Sequence, residues 1–120
     1  MDELDLKDKF LAKAKDKPQY LEHDIEGIGR VYIKRLTAGE KDLYEKLTPG
    51  RTTSRAVTVA HCCFDERGAR VFGDSDIPAL ELIDASIVDP IVMVALRFNG
   101  YTKAEQDELL KNSNGQAVNS

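Results

Sequence analysis

The run Ile91-Val92-Met93-Val94-Ala95-Leu96-Arg97-Phe98 constrains this chain more than any other feature. Seven of its eight residues are apolar, so a helix built from it has almost no polar face. Such a helix is either enclosed by the rest of the fold or partly taken up by an interface. Asn99-Gly100 supplies its natural stop. Ser86 or Asp89 caps its start; with Asp89 as the cap, Pro90 falls at the first helical position, where the missing N–H costs nothing. The apolar stretch from Ile87 to Leu96 is interrupted by Asp89 and Pro90 and falls far short of the ~20 residues that span a bilayer. The helix therefore needs protein around it, and 120 residues are enough for one ordinary domain to provide that.

The remaining elements follow from periodicity and punctuation. Leu6, Phe10, Leu11 and Ala14 form a narrow apolar stripe that predicts a helix over 2–16, stopped by Pro18. Acids near its start and lysines near its end complement the helix dipole. A stripe this narrow docks weakly or leaves residues 1–17 as a mobile arm. Residues 19–25 and 30–36 read as a hairpin around Gly27 and Gly29. Thr37-Ala38-Gly39-Glu40 is a capping box opening a helix over 38–47, which ends at Thr48-Pro49-Gly50. Residues 56–64 and 69–72 read as a second hairpin around Asp65-Glu66-Arg67-Gly68, although Val57-Thr58-Val59-Ala60 is short enough to begin helically. Gly73-Asp74-Ser75-Asp76 caps a short helix from Ile77 to about Ala85. Thr102-Lys103-Ala104-Glu105 opens a last helix with Leu109 and Leu110, and residues 112–120 read as a disordered tail. The expected fold is α+β: small antiparallel hairpins packed with about five helices, mainly helical in the C-terminal half, forming a single domain over 1–111.

Charge narrows the function. The net charge is −4, with +1 in residues 1–60 (12 basic, 11 acidic) and −5 in residues 61–120 (5 basic, 10 acidic). An acidic domain is a poor candidate for binding the phosphate backbone, so nucleic acid is not an expected partner, and with no apolar run long enough to span a bilayer neither is a membrane. The acidic N-terminus lacks an apolar secretory core, and two adjacent cysteines make no disulfide framework, which points to a reducing compartment.

The inventory of reactive groups is thin. On a strand, His61 and Cys63 share one face and Cys62 takes the other, giving fewer ligands than the three or four of a zinc site even if His23 joins them. The bland reading, two small thiols packed in a half-buried strand, is preferred; a small thiol or metal enzyme using His61 and Cys63 is the rival. Asp74-Ser75-Asp76 begins like a calcium loop, but Pro78 stands at the fifth position and no glycine follows in place. Gly27-Ile28-Gly29 has no third glycine and precedes a strand, so the dinucleotide fingerprint fails. Arg51 and Arg55, among three hydroxyl residues, read as a solvated loop before an anion site. No catalytic residue, metal or cofactor is expected. Interaction with another protein remains, and the exposed parts of the two C-terminal helices are the expected contact surface: Met93, Leu96, Phe98, Leu109 and Leu110.

From about Arg30 to Asn112, roughly two thirds of the chain, the order of motifs resembles the tail assembly chaperones of long-tailed, non-contractile bacteriophages and prophages. The residues that carry the resemblance are Val31-Tyr32-Ile33-Lys34-Arg35-Leu36-Thr37-Ala38-Gly39-Glu40-Lys41-Asp42, Val57 to Phe72, Asp76-Ile77-Pro78-Ala79-Leu80, and Phe98-Asn99-Gly100-Tyr101 before Glu105 to Asn112. None is a catalytic signature. The resemblance implies a non-enzymatic α+β protein acting in the host cytoplasm and absent from the finished virion. Its implied partners are the tape measure protein, which such chaperones coat and keep soluble, and the tail tube protein to which they hand it. Family members are often also made in a longer, frameshifted form, which here would diverge at 112–120. A homo-oligomer stays open, and a structural or adaptor protein retained in the particle is the alternative from the same setting.

Overall fold

The computed structural model describes residues 3–48 and 54–101. Within them the order is α1 (Glu3–Leu11), β1 (Tyr20–Ile25), β2 (Gly29–Lys34), α2 (Ala38–Lys46), α3 (Arg55–Cys62), β3 (Cys63–Phe64), α4 (Ile77–Leu80) and α5 (Ala85–Phe98). The fold is α+β, as the patterning predicts: one three-stranded antiparallel sheet in the order β1-β2-β3, covered by helices.

The first hairpin lies where the glycines place it. Tyr20 pairs with Lys34 and Ile25 with Gly29, leaving a three-residue loop in which Gly27 takes φ +79°. That left-handed conformation carries little penalty only for glycine. The capping box at α2 is complete: Glu40 N–H donates to Thr37 Oγ1 (3.2 Å), and Thr37 N–H donates to Glu40 Oε1 (2.9 Å).

The second hairpin shrinks to a stub, and the reason is burial. Residues 55–62 form a helix whose residues 56 to 62 are all buried. It packs against α2, α4, α5 and β2, so residues 56 to 62 have no solvent face. Ser54 caps it, its Oγ accepting from Val57 N–H at 3.3 Å. Only Cys63 and Phe64 pair with β2, against Ile33 and Tyr32. The turn itself is present: Asp65 Oδ1 accepts from Arg67 and Ala69 N–H groups (2.8 and 3.0 Å), and a single bridge joins Phe64 to Arg70.

α5 is longer than the sequence suggests. It starts at Ala85, capped by Asp84, whose Oδ1 accepts from Ser86 N–H at 2.8 Å; Pro90 therefore lies inside it. Proline removes the bond to the Ser86 carbonyl, but both residues face water, which satisfies the freed group. The other side of α5 joins the core, where Val88, Ile91, Val92, Ala95 and Leu96 meet Val59, Ala60 and Ile33. The helix ends in two reversed bonds, Gly100 N–H to the Arg97 carbonyl (3.2 Å) and Tyr101 N–H to the Leu96 carbonyl (3.0 Å), with Gly100 at φ +81°.

The Asn99 side chain clamps this terminus onto the sheet. Its Oδ1 accepts from Leu36 N–H (2.7 Å), and its Nδ2 donates to the carbonyls of Lys34 (3.1 Å) and Ala95 (2.9 Å). α1, by contrast, continues into a 3-10 turn at Ala12–Lys15 and lies closely against no strand or other helix of the described residues.

Candidate functional site

A cleft of about 310 Å³ opens between α2, the end of α3 and the segment leading into α4. Leu43, Leu47 and Phe64 supply its apolar walls, and Glu40, Lys46, Arg70 and Asp74 its charged rim. His61 also lines it, although the histidine as a whole is buried.

Helix geometry explains how these residues meet. Glu40, Leu43 and Leu47 are three or four residues apart and share one face of α2. His61 comes from the last turn of α3, its ring tilted against Tyr44 at 6.1 Å. Lys34 of β2 closes the sheet side, with Nζ 2.7 Å from Glu40 Oε2 and 5.1 Å from the centre of the Phe64 ring.

The electrostatics separate a fixed ion pair from a neutral imidazole. Arg70 donates to Asp74 Oδ1 (2.9 Å) and to the Ala60 carbonyl (3.0 Å), and the guanidinium holds the Asp74 carboxyl below its usual range. His61 Nε2 lies 3.0 Å from the same Asp74 oxygen without the alignment of a hydrogen bond. Burial lowers the histidine pKa, the nearby Arg70 adds to this, and Asp74 only partly opposes it. At Glu40 burial favours the neutral acid, but the bonds from Lys34 and the Thr37 amide outweigh it and keep the carboxylate charged.

The helical form of 55–62 removes the shared strand face expected for His61 and Cys63, because His61 lies in the last turn of α3 whereas Cys63 is already in β3. Cys62 and Cys63 are buried free thiols, and burial pushes both up to about 12, so neither is a thiolate near neutrality. His23 sits mid-hairpin opposite Val31 and does not line the cleft. Among the described residues, no three His, Cys, Asp or Glu side chains gather in a metal-binding arrangement. Asp76 caps its own turn, accepting from Gly73 N–H at 2.8 Å. Arg55 is engaged by Asp89, and Arg51 lies outside the described residues.

The expected contact surface needs one correction. Leu96 is 3% exposed and belongs to the core, because that side of α5 faces α3 and β2. Met93 and Phe98 are half-buried, Phe98 beneath the Arg35 guanidinium at 4.4 Å. Leu109 and Leu110 lie outside the described residues. The exposed apolar side chains lie elsewhere. On α1, Leu6, Phe10 and Leu11 are 62%, 77% and 58% exposed; on α2, Leu43 and Leu47 are 59% and 45% exposed at the lip of the cleft. Leu82 and Ile83, between α4 and α5, and Ile87, in the first turn of α5, are also exposed. The α1 stripe was legible in the sequence. The α2 lip was not, because nothing local in a helix over 38–47 marks the face that borders the cleft.

No family model, curated protein or solved structure matches this chain.

Proposed function

We propose that this protein is a non-enzymatic tail assembly chaperone that binds and solubilises a tape measure protein in the host cytoplasm and helps bring tail tube subunits to it. The order of motifs from Arg30 to Asn112 supports the family reading. One structural observation supports the chaperone chemistry: apolar side chains stand exposed on two separate helices, α1 and α2, of a small charged domain. A long helical client with apolar stripes is bound by many weak contacts of this kind, an amphipathic face lying against a hydrophobic groove. The chain's net charge of −4 keeps such a complex soluble.

The working surface is accordingly the α2 lip and the α1 stripe, with Met93 and Phe98 as half-buried neighbours on α5. The test is co-expression with the longest coiled-coil protein encoded beside it, followed by fractionation and pull-down. The client should become soluble and co-purify, and Leu43→Ser with Leu47→Ser should release it while the chaperone stays folded. Finding the protein in purified virions at structural stoichiometry would instead favour a retained particle component.

A further inference from the structure

His61 Nε2 is enclosed by the protein with nothing to bond. Among the described residues it is the one buried side-chain polar atom that has no hydrogen-bond partner. The side chain is only 9% exposed, and the nitrogen lies 3.0 Å from Asp74 Oδ1 without the alignment of a bond. Asp74 itself lines the cleft, so Nε2 is directed at the cleft wall. Buried polar groups of native proteins are nearly always satisfied, and one that is not calls for a partner. The Asp74 side chain that covers it is 57% exposed, so water takes over its bonds when it turns aside, and Arg70 keeps its bond to the Ala60 carbonyl.

The rest of the cleft specifies which partner fits. Leu43, Leu47 and Phe64 border an apolar space of about 310 Å³, at the small end of the range for ligand sites. The charges around it are already matched: Glu40 to Lys34 at 2.7 Å and Asp74 to Arg70 at 2.9 Å, while Lys46 is exposed to water. An added anion would meet Glu40 and Asp74, and an added cation Lys34 and Arg70. The occupant is therefore uncharged, apolar through most of its body, with a single polar group for Nε2. Burial and Arg70 keep the imidazole neutral. A hydroxyl suits either tautomer, because it donates to a bare nitrogen and accepts from an N–H. A phenol joins that hydroxyl to a flat apolar body, which packs against the Phe64 ring edge-to-face or offset.

We propose that the cleft binds an uncharged phenolic ring, with the hydroxyl on His61 Nε2 and the ring between Leu43, Leu47 and Phe64. Two sources supply such a ring, a free small phenol and a tyrosyl side chain of a polypeptide. Both make the same bond to Nε2, and both cover leucines that are 59% and 45% exposed in the free protein. The site needs no client, so it stands or falls separately from the chaperone role.

The test titrates the isotope-labelled full-length chain with p-cresol and follows it by NMR. The ring nitrogens of His61 and the methyls of Leu43 and Leu47 should shift saturably, while His23 stays unmoved. Toluene, the same ring without the hydroxyl, should bind about tenfold more weakly, the worth of one buried hydrogen bond. 4-Methylbenzoate and 4-methylbenzylammonium should also bind more weakly than p-cresol. His61→Phe should erase the difference between p-cresol and toluene; if that variant does not fold, Leu47→Ser at the exposed lip should weaken both probes together. N-acetyltyrosinamide tells the sources apart: binding as tight as that of p-cresol assigns the site to a tyrosyl side chain, and no binding assigns it to a free phenol. The absence of any saturable shift with p-cresol would overturn the proposal, as would equal binding of toluene or tighter binding of either charged analogue.

Discussion

Replacing Asn99 by Ala removes the clamp between the end of α5 and the end of β2. The side chain makes three hydrogen bonds: one accepted from Leu36 N–H, and two donated to the carbonyls of Lys34 and Ala95. Each contributes about 1 kcal/mol net, and a desolvated group left without a partner costs about 1–3 kcal/mol. Asn99 is only half-buried, so water reaches part of what is left behind, and the expected loss is about 2–3 kcal/mol. For a domain of this size that lowers Tm by roughly 8–12 °C. The chain has no Trp, so far-UV circular dichroism during urea unfolding is the suitable probe. The midpoint should fall while the slope with denaturant stays constant. Asn99→Asp separates the two halves of the clamp. It still accepts from Leu36, but it cannot donate, and it sets a negative charge against two carbonyls; it should be at least as damaging as Ala. A loss below about 0.5 kcal/mol for Ala would show that the clamp reports the helix end without holding it.

Three further outcomes are expected. Thr58 Oγ1 donates to the Ser54 carbonyl (2.9 Å) and pairs with the buried Tyr44 hydroxyl at 2.7 Å, so Thr58→Val should cost about 1–3 kcal/mol. Adding Tyr44→Phe should recover part of that in a double-mutant cycle. Leu96→Ala should cost about 2–5 kcal/mol by cavity formation, whereas Phe10→Ser should leave thermal stability nearly unchanged, a contrast that calorimetry reads directly. His61 has a folded pKa below its usual 6.5, so the unfolded chain binds the extra proton in that window; stability should fall as pH drops from 6.5, by up to about 1.4 kcal/mol per pH unit, and His61→Gln should flatten this part of the profile.

The legible parts of the fold were those carried by local chemistry. The Gly27 turn, the Thr37–Glu40 capping box, the Asp65–Gly68 turn and the Asn99-Gly100 stop each act through neighbours in sequence. The pattern of residues 56–64 points to a strand because Val57, Thr58 and Val59 favour one and the apolar run is too short for its period to decide; 55–62 is helical and only 63–64 is strand. The remaining local signal was Ser54, three residues before the amide it caps. The start of α5 was obscured by Pro90, which is tolerated inside the helix only because its side faces water. The cleft was the least legible feature. Glu40, His61, Phe64 and Asp74 come from separate elements, and only the packing of α2 beside α3 makes them neighbours.

The adjacent thiols give the core a timekeeper. Cys62 and Cys63 are 2% and 0% exposed at the point where α3 becomes β3, in contact with the same cluster as Val59 and Val92. A thiol reagent cannot reach either sulfur by a side-chain flip, and the raised pKa leaves almost no thiolate to react while they are enclosed. Labelling then proceeds only as fast as α3 lifts from the sheet. Two native residues, with no added probe, thus convert a chemical rate into a measure of how readily the domain opens.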